Sequence, residues 1–207
     1  VKSTDESNLY LGDKQNEAVR IDANELNARI VCEGGNLGFT QKARIEYALQ
    51  GGKINLDGID NAAGVDTSDH EVNIKILLKM ISNKGILSEE DANKTLHSLT
   101  NQVVNLVLWS NYHQALVISK DEILSRKYLD DFILSIEVLE NNITAFTRKE
   151  FFIPKNENIH EVINERNSIV RPIIGSLISY SKIFIKKVLL NSNIIDESFS
   201  LAFLKKY

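Results

Sequence analysis

Apolar positions follow two regimes along the chain, with the change near residue 67. Before it they come in short runs bounded by turn residues: Ala28-Arg29-Ile30-Val31-Cys32 stops at Glu33-Gly34-Gly35-Asn36-Leu37-Gly38, and Lys53-Ile54-Asn55-Leu56 lies between Gly51-Gly52 and Asp57-Gly58. Both runs predict short strands. Between them, residues 40–49 carry a Thr40 cap, apolar residues at 45, 48 and 49, and a closing glycine pair, which predicts a helix. Strand, helix and strand with short connections make a βαβ unit, and such units favour a parallel sheet. After residue 67 the period becomes helical. Ser68-Asp69-His70-Glu71 has the form of a capping box opening a helix with Val72, Ile76, Leu77, Met80 and Ile81 on its apolar face, ended by Asn83-Lys84-Gly85. Ser88 starts a second helix that runs to about Ser119, and further helices are expected at Tyr128–Asn141, from Pro172 to about Asn191, and near Ser198–Lys205. The segment 147–160, TRKEFFIPKNENIH, is the expected irregular connection. The predicted fold class is an α/β remnant followed by an all-α region, mainly helical overall, with a division into residues 1–67 and 68–207.

Glycine usage supports that division, since nine of the ten glycines lie at or before Gly85. At 207 residues and 43% hydrophobic content the chain can bury a substantial core. Its formal charge of −4 argues against a protein that works by binding nucleic-acid phosphates or anionic lipid through charge alone. The expectation is therefore no nucleic acid and no membrane as partner. One cysteine, Cys32, excludes a disulfide framework and suits a reducing compartment, so the cytoplasm is the expected location. A chain that opens at Val1 and holds its single methionine at Met80 is expected to be a piece of something longer.

Three places invite chemistry. Glu33-Gly34-Gly35-Asn36-Leu37-Gly38 follows a predicted strand, where an open parallel sheet binds ligands and where glycine lets a cofactor approach the backbone. The spacing is not G-x-G-x-x-G, and a tight turn accounts for the glycines equally well. The polar stretch from Asp57 to Glu71 places Ser68 at a predicted helix start, a position that favours a bound carboxylate, although Ser68 and Glu71 could serve only as caps. The same stretch crowds Asp57, Asp60, Asp66, Asp69, His70 and Glu71, but in no metal-loop order and without a second histidine one turn on, so no metal site is assigned. Trp109, Tyr112 and the pair Phe151-Phe152 fit a helical core better than a base-stacking platform.

The run from Glu33 to Leu78, EGGNLGFTQKARIEYALQGGKINLDGIDNAAGVDTSDHEVNIKILL, resembles part of the nucleotide domain of the large bacterial NAD-dependent glutamate dehydrogenases. Leu11-Gly12-Asp13-Lys14 and Val107-Leu108-Trp109-Ser110-Asn111-Tyr112-His113-Gln114 resemble the flanking regions, and Arg171-Pro172 is similar to that family's arginine-proline-glutamate element. The resemblance implies a partial Rossmann-like domain over 1–67 and a helical domain over 68–207. It also implies oxidative deamination of L-glutamate to 2-oxoglutarate and ammonium, with NAD as cofactor. By that resemblance Gly34, Gly35 and Asn36 lie along the cofactor, Asn61 reaches the nicotinamide ribose or carboxamide, and Ser68 binds the side-chain carboxylate of glutamate.

The departures also matter. Ala62 stands where the large enzymes usually show serine, and Ile173 stands where glutamate follows Arg171-Pro172. The family's catalytic lysine and aspartate and its first βαβ unit have no counterpart here, so no catalytic residue is assigned. The chain alone is expected to be inactive, with the remainder of a parent enzyme as its partner and a homo-oligomer as the complete form. Two other readings stand beside this one: a non-catalytic helical interaction module, and the remnant of a decayed reading frame.

Overall fold

The structure is a computed structural model of the chain, described over residues 1–196. Its helices are α1 (Asn8–Leu11), α2 (Gln41–Leu49), α3 (Asp57–Asp60), α4 (Ala62–Asn83), α5 (Glu89–Ser98), α6 (Thr100–Ser125), α7 (Leu129–Asn142), α8 (Arg148–Phe151) and α9 (Arg171–Leu190). Short 3-10 turns occur at Glu17–Val19, Ala23–Glu25, Asn156–Val162 and Asn193–Asp196. The expected helix near Ser198–Lys205 lies outside the described residues.

The capping signals read correctly at two places. Thr40 Oγ1 accepts the Ala43 N–H at 3.0 Å and starts α2, and Ser88 Oγ accepts the Asp91 N–H at 3.0 Å and starts α5. The helix expected from Ser88 to Ser119 is broken at Leu99, whose N–H is shared between the Thr95 and Leu96 carbonyls. A new helix, α6, then runs on to Ser125. In the expected irregular connection, Thr147 caps the single turn of α8 and Phe152 leaves it with φ of +54°.

The βαβ remnant is not formed, which corrects the expected fold class. Among the described residues there is no strand, only isolated bridges at Lys2–Asp22, Ile30–Lys53 and Ile163–Ile169. The two predicted strands do run parallel, but they meet in two hydrogen bonds, Val31 N–H to Lys53 O at 2.9 Å and Lys53 N–H to Arg29 O at 3.1 Å. A parallel ladder is stable when both faces are covered. Here Ile30 is 64% exposed and Cys32 is also exposed, while Ile54 is buried in the core and Val31 and Leu56 pack against it only in part. The remaining expectation, a mainly helical chain, agrees with the structure.

The core gathers around the first half of α9, where Pro172, Ile173, Ile174, Gly175, Ser176 and Leu177 are all buried. Ala43, Tyr47 and Ala48 of α2, Ile118 of α6, and Ile136 and Leu139 of α7 belong to the same cluster. Gly175 lets this helix approach the Leu56 side chain closely, since a Cβ there would lie 3.2 Å from it and the leucine would have to give way. The other end of the molecule is thinly packed. Helices α4, α5 and the first half of α6 form an arm in which α4 buries no residue and α5 buries only Ala92. The predicted apolar face of α4 is there, but Val72, Ile76, Leu77 and Met80 are each more than half exposed, as are Trp109 and Tyr112 on α6.

Candidate functional site

The loop 33–39 leaves the Ile30–Lys53 bridge and enters α2, and it is held from below by charge. Arg44 and Glu33 are each 5% exposed, and the guanidinium grips the carboxylate with both arms, Nε to Oε2 at 2.6 Å and Nη2 to Oε1 at 2.9 Å. Arg44 Nη2 also lies 3.1 Å from Asp57 Oδ2. These carboxylates take up the backbone donors of the loop: Phe39 N–H points to Glu33 Oε1 at 3.1 Å and Leu37 N–H to Asp57 Oδ2 at 2.9 Å. Glu33 N–H itself donates to Asp60 Oδ2 at 3.0 Å. Burial alone would raise the Asp57 carboxyl, but the Leu37 N–H, the Arg44 charge and the Gly58 N–H together hold it below its ordinary value. Burial likewise opposes the charge on Arg44, and the Glu33 and Asp57 carboxylates more than compensate, raising its pKa.

With both ends of the loop fixed, the exposed middle, Gly34-Gly35-Asn36, is presented to solvent. Its geometry bears on why glycine stands there. Neither Gly34 nor Gly35 has a positive φ, and a Cβ built on either meets no atom within 4 Å. Turn conformation and internal crowding therefore both fail as reasons for the two glycines. Open space in front of a fixed backbone is what a closely approaching ligand needs. Gly38 differs, since its Cβ would press on Glu33 Oε1 at 3.3 Å.

Asn61 meets this loop. It occupies the junction of α3 and α4 as the N-cap of α4, yet its side chain makes no capping bond there. Instead Asn61 Nδ2 donates to Asn36 Oδ1 at 3.1 Å, which joins two of the residues singled out in the sequence. Ser68 is placed differently from its expected position. Helix α4 begins at Ala62, six residues earlier, so Ser68 and Glu71 do not form a capping box. The Ser68 hydroxyl is exposed and donates back to the Val65 carbonyl at 2.8 Å. It makes no contact with Asn61, but seven residues on a helix return to the same face, about 10.5 Å along the axis. The acidic stretch is also dispersed: Asp57 serves Arg44, Asp60 serves Glu33, and Asp66 pairs with His70 at 3.6 Å. Among the described residues no group of three His, Cys, Asp or Glu side chains could hold a metal ion, and no helix is long and apolar enough to cross a membrane.

Sequence reasoning missed Arg44, and although it singled out Glu33, Asp57 and Asp60 it missed that they support the loop. One signal was available for Arg44: it sits between Ala43 and Ile45 on the buried face of α2. A charge on such a face requires a buried partner.

Comparison with known proteins gives a consistent result. The family profile described as bacterial NAD-glutamate dehydrogenase, catalytic domain, matches residues 1–121. The NAD-specific glutamate dehydrogenase of Halomonas elongata is 40% identical over 206 residues, covering 100% of this chain and 13% of that protein. The protein of the same name from Pseudomonas aeruginosa is 42% identical over 199 residues, 96% of this chain and 12% of that protein. The one from Mycobacterium tuberculosis is 32% identical over 207 residues, again 13% of its length. The chain thus spans about an eighth of the length of the curated relatives it matches. No solved structure matches it.

Proposed function

The chain belongs to the bacterial NAD-glutamate dehydrogenase family, and on that premise we propose that it forms the cofactor-facing part of an enzyme that oxidatively deaminates L-glutamate to 2-oxoglutarate and ammonium. The observation that carries this reading is the pair Gly34 and Gly35, glycines that the chain's own packing does not require. In this reading the backbone of Gly34, Gly35 and Asn36 lies against NAD, and Asn61, clasped to Asn36, turns toward the nicotinamide end. NAD, when bound, supplies the acceptor for the hydride leaving the glutamate α-carbon. The chain's own residues bind and orient. Ser68, two turns along α4 from Asn61, offers its hydroxyl to the side-chain carboxylate of glutamate, exchanging an intrahelical bond for a charged one. A hydrogen bond to a charged group is worth about 1.5–3 kcal/mol.

No residue here is assigned the chemical step, so the 207 residues alone are inactive and bind NAD weakly. Hydride transfer needs substrate carbon and cofactor held together, and one wall of a cleft does not do that. The remainder of the parent enzyme supplies the other wall. The complete enzyme is a cytoplasmic homo-oligomer in this reading; the one cysteine of these 207 residues, Cys32, is free, in keeping with a reducing compartment. A second reading, a helical interaction module, is favoured by the uncovered apolar face of α4.

Valine at 34 or 35 tests the choice. In the full-length parent, Gly34→Val and Gly35→Val should raise KM for NAD by roughly tenfold or more, while the isolated chain melts as before. NAD kinetics unchanged by both substitutions would refute the cofactor role of the loop. Absence of any glutamate-dependent NAD reduction in the unaltered parent would leave the interaction reading in its place.

A further inference from the structure

A chain of polar contacts leads from the loop to a residue far away in sequence, and we infer that Arg171 is a positioning residue for the cofactor-facing segments, acting through Asn55 and Asp60. Arg171 opens α9, outside the residues 1–121 that match the catalytic-domain profile. Its Nε donates to Asn55 Oδ1 at 3.0 Å, and its Nη1 is fixed by Ser119 Oγ at 3.1 Å and Glu122 Oε2 at 3.0 Å. A guanidinium has only donors. The amide oxygen of Asn55 must therefore face Arg171, and its NH₂ group must face the other way. There Asn55 Nδ2 donates to Asp60 Oδ1 at 2.9 Å, while Asp60 Oδ2 accepts Glu33 N–H at 3.0 Å.

The Asp60 carboxylate is the hub. It holds the first residue of the glycine loop on one oxygen, and it is the immediate neighbour of Asn61. One carboxylate thus sets the loop and the α3–α4 junction relative to each other, and Arg171 determines that Asn55 supports it. Without Arg171 the amide loses the bond that fixes its oxygen, and its NH₂ group is no longer held in one place against Asp60 Oδ1. Asn55, Asp60 and Arg171 are all partly buried, so water competes incompletely for these bonds. The inference rests on the cofactor role of the loop given above, and it adds that α9 takes part in shaping that loop.

Two substitutions separate positioning from simple support. Arg171→Met removes the relay at its origin. Asn55→Asp keeps an acceptor for Arg171, and strengthens that contact, but deprives Asp60 of its donor. In the full-length parent both should raise KM for NAD by roughly tenfold, the scale of one charge-assisted hydrogen bond, with KM for glutamate little changed. The double variant should be no worse than either single one, because both cut the same path. In the 207-residue chain, hydrogen exchange at the Glu33 amide should accelerate by roughly tenfold in both variants, since that N–H loses its held acceptor. Exchange at Glu33 unchanged in Asn55→Asp would overturn the relay, as would an NAD dependence altered only by Arg171→Met together with its melting temperature. If the unaltered parent shows no use of NAD while Glu33 exchange responds to both substitutions, the relay stands and the cofactor role of the loop is what fails.

Discussion

Replacing Arg44 by leucine should destabilise the chain more than any surface change, and the size of the effect follows from what is left behind. The guanidinium supplies two of the three donors to the Glu33 carboxylate and also lies against Asp57. In Arg44→Leu, Glu33 keeps a single partner, the Phe39 N–H, while its side chain is only 3% exposed. Orphaning a buried charge costs about 3–5 kcal/mol. With a urea slope of about 2 kcal/mol per molar, the unfolding midpoint should fall by about 1.5–2.5 M. Adding Glu33→Gln removes the stranded charge but keeps a carbonyl oxygen for Phe39 N–H, so the double variant should recover at least half of that loss. Urea unfolding followed by circular dichroism measures both. A midpoint shift under about 0.5 M in Arg44→Leu, about 1 kcal/mol on the same slope, would show that the pair behaves as a solvated one. A double variant as unstable as the single would show that the loss comes from packing and not from unpaired charge.

Acid should act through the same carboxylates. The Asp57 pKa is lowered against its burial by Leu37 N–H and Arg44, and that of Glu46 is lowered against its burial by the Ser3 and Thr4 hydroxyls and the Thr4 N–H. A depressed folded-state pKa stabilises above the ordinary carboxylate range, near pH 4, and that stability disappears as pH falls through the depressed values; a melting temperature flat from pH 7 down to pH 3 would contradict this. Gly52→Ala places a methyl group into the Tyr47 ring, whose hydroxyl bonds the Ala28 carbonyl at 2.6 Å, and should cost about 1–3 kcal/mol by overpacking, read as a lowered melting temperature. In the full-length enzyme, Ser68→Ala should weaken glutamate use by roughly ten- to a hundredfold with NAD affinity nearly constant, whereas Asn61→Ala should depress turnover even at saturating glutamate. Steady-state kinetics in both substrates checks the split, and unchanged constants for both variants would return the two residues to local structure.

Local signals were legible where the interaction itself is local. Thr40 and Ser88 cap helices because a hydroxyl three residues from a free N–H needs nothing else to be useful. Ser68 has the same spelling and a different fate, since three residues and a glutamate cannot reveal that the helix has already begun at Ala62. Its hydroxyl turns back on its own helix instead. The two strand-like runs failed for a related reason: alternation and β-branched residues describe a segment that could pair, while pairing depends on neighbours that the segment does not specify. At Gly34 and Gly35 the spelling left a tight turn and a ligand's approach as alternatives, and the local backbone angles and empty space that bear on the choice exist only in the fold. The Glu33–Arg44–Asp57 cluster and the reach from Arg171 to Asn55 join residues separated by 11 and by 116 positions, and no periodicity encodes such distances.

The chain's single tryptophan stands on the thinly packed arm and not in the core. Trp109 is 63% exposed, with the His113 ring 4.0 Å away, and the His113 Nδ1 lies 2.8 Å from the Trp109 carbonyl, which can only accept and so places the proton on that nitrogen. Nature has thereby separated the molecule's optical channels. Ellipticity sums every helix, while tryptophan emission samples α6 beside the His113 ring. Two denaturation curves recorded on one sample then compare different parts of the protein, and the gap between them measures how far the arm comes loose before the rest. Emission shifting to shorter wavelength would mark the moment that water is excluded from the arm, with no label attached and no residue changed.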